Sequence, residues 1–370
     1  VKRIAVRFFA VWVVAGLLVG LAPAPVWADS IRDQQWHLGF LNVAEAHRYS
    51  QGEGVTVAVI DSGVDATHPD LTGSVLTGTE TFVGGTSDGH TDTDGHGTGI
   101  AGLIAGHGHG PGNSAGVLGI APKAKILPIR TTNDIGSDPA ATARGLDYAV
   151  AKGATVICIA QGGSVSAEEQ RAVREALAAG VVIVAAAGNK PLDLFVTYPA
   201  AYPGVVAAAG VDLNGNHADV SATGPEVILA APAVNVMSAR PNASYNTGTG
   251  TSAATAIIAG AAALVRSRYP NLSGTEVVRR LTATATDKGA PGRDKEYGYG
   301  VLNLVDALTK DIPPPSPSAQ PSPTDSAGAT GPDTNQPHTA LAIGLISTGG
   351  LILLTTIVAG TVWLRRRPAG

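Results

Sequence analysis

Three residues of different chemical character stand in three short segments. Asp61 closes the apolar run of VAVIDSGVD (57–65), which continues into His68-Pro69-Asp70-Leu71. His96 lies in DGHGTGIAG (94–102), and Ser252 follows a glycine-rich approach in GTGTSAAT (248–255). A serine hydroxyl needs a base to take its proton. An imidazole base needs a carboxylate that fixes its tautomer and stabilises the imidazolium. Asp61, His96 and Ser252 supply one of each. Each residue also has a plain structural use, as a strand-end turn, a loop histidine or an N-cap. It is their joint appearance, in this order and 35 and 156 residues apart, that points to nucleophilic catalysis.

The elements around them must bring these segments together. Short apolar runs at Val55–Ile60, Lys125–Ile129, Thr155–Ile159, Val181–Ala186 and Val205–Ala208 read as strands. Helical patterns at Pro139–Ala151 and Ala167–Ala179 separate them, and Ser166/Glu169 and Ser273/Glu276 have capping-box spacing. Strand–helix alternation with β-branched apolar strands predicts a parallel sheet covered on both faces, an α/β domain. Asp61 then lies at the carboxyl end of a strand, the edge where open sheets bind ligands. From Ser252 to Val265 the chain carries no charge and is rich in Ala and Gly. Too short to span a bilayer, it is expected to be a buried central helix.

Composition removes other classes. The 370 residues include 47 Gly and 24 Pro; hydrophobics reach 44% but aromatics only 5%. That is a core of Ala, Val, Ile and Leu with many tight turns, not a disordered chain. A net charge of −4 gives no basic footprint for nucleic acid. Cys158 is the only cysteine, which excludes an internal disulfide framework and a Cys-ligated zinc. No cofactor is expected.

The ends differ from the body. In residues 1–28, Lys2, Arg3 and Arg7 precede an apolar run from Phe8 to Leu21 and a small-x-small ending, Val26-Trp27-Ala28. This is the pattern of a secretory signal peptide, the alternative being an uncut anchor. Residues 340–364 carry no charge and are followed by Arg365, Arg366 and Arg367. A helix of that length spans about 37 Å, enough for a bilayer core, and the arginines mark the cytoplasmic side. The alternative is a buried core helix. Residues 312–339, rich in Pro, Ser, Thr and Gly, read as a spacer. The chain thus divides into a signal peptide (1–28), a body (29–311), a linker (312–339), a transmembrane helix (340–364) and a cytoplasmic tail (365–370). The body carries 19 basic and 27 acidic residues, a charge of −8. The expected protein is single-pass in the cell membrane with its body outside.

Taken together, the three segments resemble the subtilisin-like serine proteases, from about Gly52 to Leu308. The resemblance implies a three-layer α/β/α fold with a mostly parallel central sheet, here followed by one C-terminal transmembrane helix. It implies peptide-bond hydrolysis through an acyl-enzyme, with no metal in the catalytic step. Carried onto AAAGN (185–189), it makes Asn189 an oxyanion donor beside the Ser252 amide. It also marks Ile135-Gly136-Ser137 and Gln161-Gly162-Gly163 as edges that flank an extended substrate. Gln34-Gln35-Trp36, a single domain, a proline-rich spacer and a C-terminal anchor are similar to the mycosins, membrane-bound proteases of type VII secretion in actinobacteria. The implied partners are a protein or peptide substrate, the membrane and the secretion machinery.

Three positions depart from the family pattern. Ala256 stands where Pro is usual, Gly99 where His is common, and Ala160 where Ser is frequent. None of them transfers a proton, so they bear on subsite preference and turnover. Two rival readings remain: a divalent ion held by Asp88, His90, Asp92, Asp94 and His96, with His107 and His109 nearby, or a scaffold that chiefly binds secretion partners. Between the signal peptide and Gly52 lie only residues 29–51, too few for a separately folded pro-domain. With Trp36, Leu38, Phe40, Leu41 and Val43, this segment is expected to pack as a strap and to stay attached. The alternative is a trimmed activation peptide.

Overall fold

Residues 30–132 and 138–313 are described by the structure, a computed structural model. Its strands, in chain order, are β1 (Thr56–Asp61), β2 (Thr79–Glu80), β3 (His107–His109), β4 (Ala115–Leu118), β5 (Lys125–Arg130), β6 (Val156–Ile159), β7 (Val182–Ala186), β8 (Val206–Val211), β9 (Val227–Pro232), β10 (Val236–Arg240) and β11 (Ser244–Gly248). Seven of them form one parallel sheet in the order β2-β5-β1-β6-β7-β8-β9. Side chains alternate across the pleat, so each strand feeds two cores. Val57 and Val59 of β1 join one core; Ala58 and Ile60 join the other.

The first core is filled by the helix Thr251–Arg268, buried from Ala253 to Val265, and by the helix His96–Ala105. On the opposite face lie the helices Pro139–Ala151 and Ala167–Ala178, through Ala143, Leu146, Ala172, Val173 and Ala176. The result is the three-layer α/β/α arrangement expected from the alternation. Strand β1 has β5 on one side and β6 on the other. The chain therefore leaves β1 in one direction and returns on the other, opening a crevice at the carboxyl ends of β1 and β6.

Residues 30–50 cross the first core as three short helices, Ser30–Asp33, Trp36–Phe40 and Val43–Ala46. Leu41, Val43 and Ala46 are buried. Trp36 Nε1 donates to the carbonyls of Val234 (3.1 Å) and Asn235 (3.2 Å), and Ser50 Oγ donates to that of Leu264 (2.9 Å). The Gln35 amide both donates to and accepts from the Leu118 backbone.

Strand limits fall within a few residues of the sequence reading. β2, β3, β4, β9 and the β10–β11 hairpin were not anticipated. The capping box at Ser273/Glu276 forms in full. At Ser166 only half of it forms: the Glu169 amide reaches Ser166 Oγ, but the Ser166 amide already donates to the Tyr202 hydroxyl (2.9 Å). The reciprocal bond from the Ser166 amide to Glu169 is therefore not made. The segments read as a signal peptide (1–28), transmembrane helix (340–364) and tail (365–370), nearly all of the linker and the Ile135-Gly136-Ser137 edge lie outside the described residues. Among the described residues no helix is long and apolar enough to cross a membrane.

Truncation of Ile257, fully buried in the central helix, leaves a cavity under the sheet. Ile257→Ala is expected to destabilise the domain by about 2–5 kcal/mol. Urea unfolding should show a lower midpoint with an unchanged slope.

Candidate active site

The last residue of β1 is Asp61, whose buried carboxylate faces the first helical turn of His96–Ala105. The Ser62 amide donates to its Oδ1 (2.8 Å), and His96 Nδ1 lies 2.8 Å from Oδ1 and 3.0 Å from Oδ2. Two glycines allow this approach. Gly95, with φ +89, takes a left-handed conformation at the helix start, and a Cβ there would meet Arg240 Nε at 2.8 Å. At Gly97 a Cβ would stand 2.1 Å from the Gly63 carbonyl oxygen, so only glycine lets the helix press against the loop that leaves β1.

With Nδ1 donating to Asp61, Nε2 is the basic nitrogen of His96. The Asp61 carboxylate pulls the imidazole pKa up to about 9; burial opposes it, while the hydrogen bond to Asp61 and the charges of Asp94 and Asp92 assist. The side chain is 38% exposed, so solvent screens part of that attraction.

Behind this pair, a second carboxylate organises the turn. The buried Asp92 accepts from Ser62 Oγ (2.9 Å), the Gly95 amide (2.7 Å), the Thr98 amide (2.9 Å) and Thr98 Oγ1 (2.5 Å). Ser62 Oγ in turn accepts from the Gly97 amide (2.9 Å). Orphan donors of the helix start are thereby satisfied, next to His96.

Ser252 is the second residue of the central helix. Its hydroxyl donates to the carbonyl of Ala160, just past β6, at 2.9 Å. Among the described residues no hydrogen bond joins it to His96. Asn189 follows β7. Its Oδ1 accepts from the Thr251 amide (2.9 Å) and Thr251 Oγ1 (3.2 Å), and its backbone N–H donates to Asp193 Oδ2 (2.8 Å). These bonds fix the orientation of the side-chain amide and leave Nδ2 as its donor. His96, Asn189 and Ser252 line one cavity of about 270 Å³, together with Gly99, Ile100, Leu103 and residues of the β10–β11 hairpin.

Of the anticipated substrate edges, Gln161-Gly162-Gly163 follows β6 beside this cavity. The Gly163 amide and carbonyl are both taken by the Tyr198 backbone (2.7 and 3.2 Å). The Gln161 side chain is turned inward, donating to Thr131 Oγ1 (2.9 Å) and the Ile60 carbonyl (3.2 Å). The acidic and histidine residues considered as metal ligands have other partners. Asp88 pairs with His90, Asp94 accepts from the His96 amide, and His109 pairs with Asp70. Among the described residues no three of His, Cys, Asp or Glu are grouped to hold a metal ion. Cys158 is a free thiol, fully buried, and burial pushes its pKa well up.

Fold and site together define a class. Residues 52–300 match the subtilase family, and the chain belongs to that family. It is 40% identical over 271 residues to a thermostable alkaline protease of Halalkalibacterium halodurans, covering 72% of each chain. It is 40% identical over 259 residues to subtilisin DY of Bacillus licheniformis, covering 69% of this chain and 90% of that one. The protein is a serine endopeptidase. Among solved structures, MycP1 with its N-terminal propeptide removed superposes with a TM-score of 0.67 at 32% identity, covering 75% of this chain and 98% of that one. MycP3, a protease from the type VII (ESX-3) secretion system, gives 0.66 at 33%, covering 75% and 88%.

Sequence reading missed the Asp92 network as a support for His96, the Ala160 carbonyl, and the hairpin wall with Arg240. Asp92 was visible only as one of several clustered acids. Loss of its carboxylate would strand the donors it satisfies. Asp92→Ala is expected to cost about 2–3 kcal/mol in urea unfolding. By loosening His96 it should lower kcat more than it raises KM for a peptide substrate.

Proposed function

We propose that Asp61, His96 and Ser252 are the catalytic triad of this endopeptidase, and that Asn189 and the Ser252 amide form its oxyanion hole. The observation that carries this reading is the His96 Nδ1–Asp61 contact, 2.8 Å, at the mouth of a cavity shared with Ser252 and Asn189. A rotation about the Ser252 Cα–Cβ bond moves Oγ from the Ala160 carbonyl toward His96 Nε2. The hydroxyl then attacks the scissile carbonyl while Nε2 takes its proton. Negative charge develops on the carbonyl oxygen, where Asn189 Nδ2 and the amide at the start of the central helix donate. His96 returns the proton to the leaving amine, and water deacylates the serine by the same steps in reverse. Acyl-side residues of the substrate pair with the backbone of Gln161 and Gly162, and with the second edge that the family resemblance marks, Ile135-Gly136-Ser137.

The membrane setting rests on the sequence. The signal-like 1–28, the apolar 340–364 and the triple arginine after it support export, a single C-terminal anchor and a catalytic domain outside the cell. Residues 29–51 remain attached as a strap. The likeness to MycP1 and MycP3, the latter described as a type VII secretion system protease, supports a role in that secretion route. The His96–Asp61 pair, in a cavity shared with Ser252 and Asn189, favours proteolysis over a purely scaffolding task.

Purified catalytic domain tests the assignment. Ser252→Ala and His96→Ala are each expected to lose about 10⁶ in kcat, a magnitude taken from subtilisin itself. Asn189→Ala should lose about 10²–10³. If Ser252→Ala keeps the parental rate, the assignment is wrong. The pH profile carries the electrostatics. Only neutral His96 accepts a proton, so kcat/KM should fall as pH drops through about 9, the pKa raised by Asp61. Asp61→Asn removes that pull, so the limb should move to lower pH while kcat drops about 10⁴-fold.

A further inference from the structure

The catalytic cavity extends past the reacting atoms along the His96 helix and β10. His96 must hand its proton to the leaving nitrogen. The first residue of the leaving peptide, carried on that nitrogen, therefore lies on the His96 side of Ser252. The cavity walls on that side are Gly99, Ile100 and Leu103 of the His96 helix and Val236, Ser238 and Arg240 of β10, with Ala253 at the base. Ile100, Leu103, Val236 and Ala253 are buried apolar residues. Gly99, where the family often has histidine, keeps this space open: a Cβ there would already approach Ser238 Oγ to 3.1 Å. At Gly248, across the hairpin, a Cβ would meet nothing within 4 Å.

Apart from His96, the lining carries, among the described residues, one cationic side chain and no carboxylate. That cation is Arg240. Its Nη2 donates to the Asp94 carbonyl (2.9 Å), and its Nε and Cζ pack against Gly95 beside His96. It joins none of the ion pairs among the described residues. A guanidinium tied by one backbone bond keeps further donors for a planar anion. We propose that Arg240 makes this cavity selective for an acidic side chain, glutamate, on the first residue of the leaving peptide. The apolar floor covers the two methylenes, and the guanidinium meets the carboxylate at the rim. This assignment rests on the triad reading above, which sets the side on which the leaving group departs.

The test uses internally quenched peptides, amidated at the C-terminus and identical except for Glu, Gln or Lys just after the scissile bond. The parent enzyme should cleave the Glu peptide at least about tenfold faster than the Lys peptide in kcat/KM, the scale of one charge-assisted contact. Arg240→Gln, which keeps a donor for the Asp94 carbonyl, should bring the ratio close to one. Arg240→Glu should invert it. Where a variant does not fold, the salt dependence of the parental ratio decides. A ratio that collapses in about 0.5 M salt supports the charge contact, and one that is indifferent to salt contradicts it. Equal cleavage of Glu and Lys peptides by the parent, or an undiminished Glu preference in Arg240→Gln, overturns the selectivity alone. Failure of the parent to cleave any of the peptides overturns the triad reading as well.

Discussion

The contact between His96 Nδ1 and the Asp61 carboxylate constrains most of what surrounds it. A carboxylate with little solvent access must be matched by donors, and here the Ser62 amide and the imidazole supply them. The match is possible only if the His96 helix begins within hydrogen-bond reach of the end of β1. That explains the glycines at 95 and 97, and it explains Asp92. Asp92 satisfies the Gly95 and Thr98 amides of a helix start that is packed against Arg240 and the Gly63 carbonyl. The same arrangement fixes which imidazole nitrogen is free to act as a base.

The sheet provides the second constraint. Its strands are apolar on both faces, so polar chemistry has room only at the strand ends. The order β5-β1-β6 places a crevice at the carboxyl end of β1. The central helix, uncharged from Ser252 to Val265, enters the core from this same edge and brings Ser252 with it. Asn189 arrives on the loop after β7, held by Thr251, the neighbour of Ser252. Three chain segments far apart in sequence thus share one cavity because each is the end of an element packed on the same core.

Much of this was legible in the sequence, for identifiable reasons. VAVID and VICI are buried on both faces, so they read as continuous apolar runs. SAATAIIAGAAALV has no polar face, so it read as a central helix. β9 was missed: VILAAP is rich in Ala, lies at the sheet edge and ends in a proline. The β10–β11 hairpin was missed because SYNTG is polar and largely exposed, with no alternating pattern to mark it. Arg240 gave no sequence signal, since only the fold of that hairpin carries it to the cavity. Asp92 was seen among crowded acids and histidines, and chain proximity alone did not tell a metal cluster from a helix cap. The resting bond from Ser252 to Ala160 depends on a side-chain torsion, which no residue pattern encodes.

The account stands on a single reactive hydroxyl activated by His96. A fluorophosphonate that esterifies activated serines, followed by peptide mass mapping, reads this directly. The account predicts one adduct, on Ser252, with labelling of the folded His96→Ala protein slowed by orders of magnitude. An adduct on another serine, or labelling of Ser252 at the same rate without His96, would contradict it.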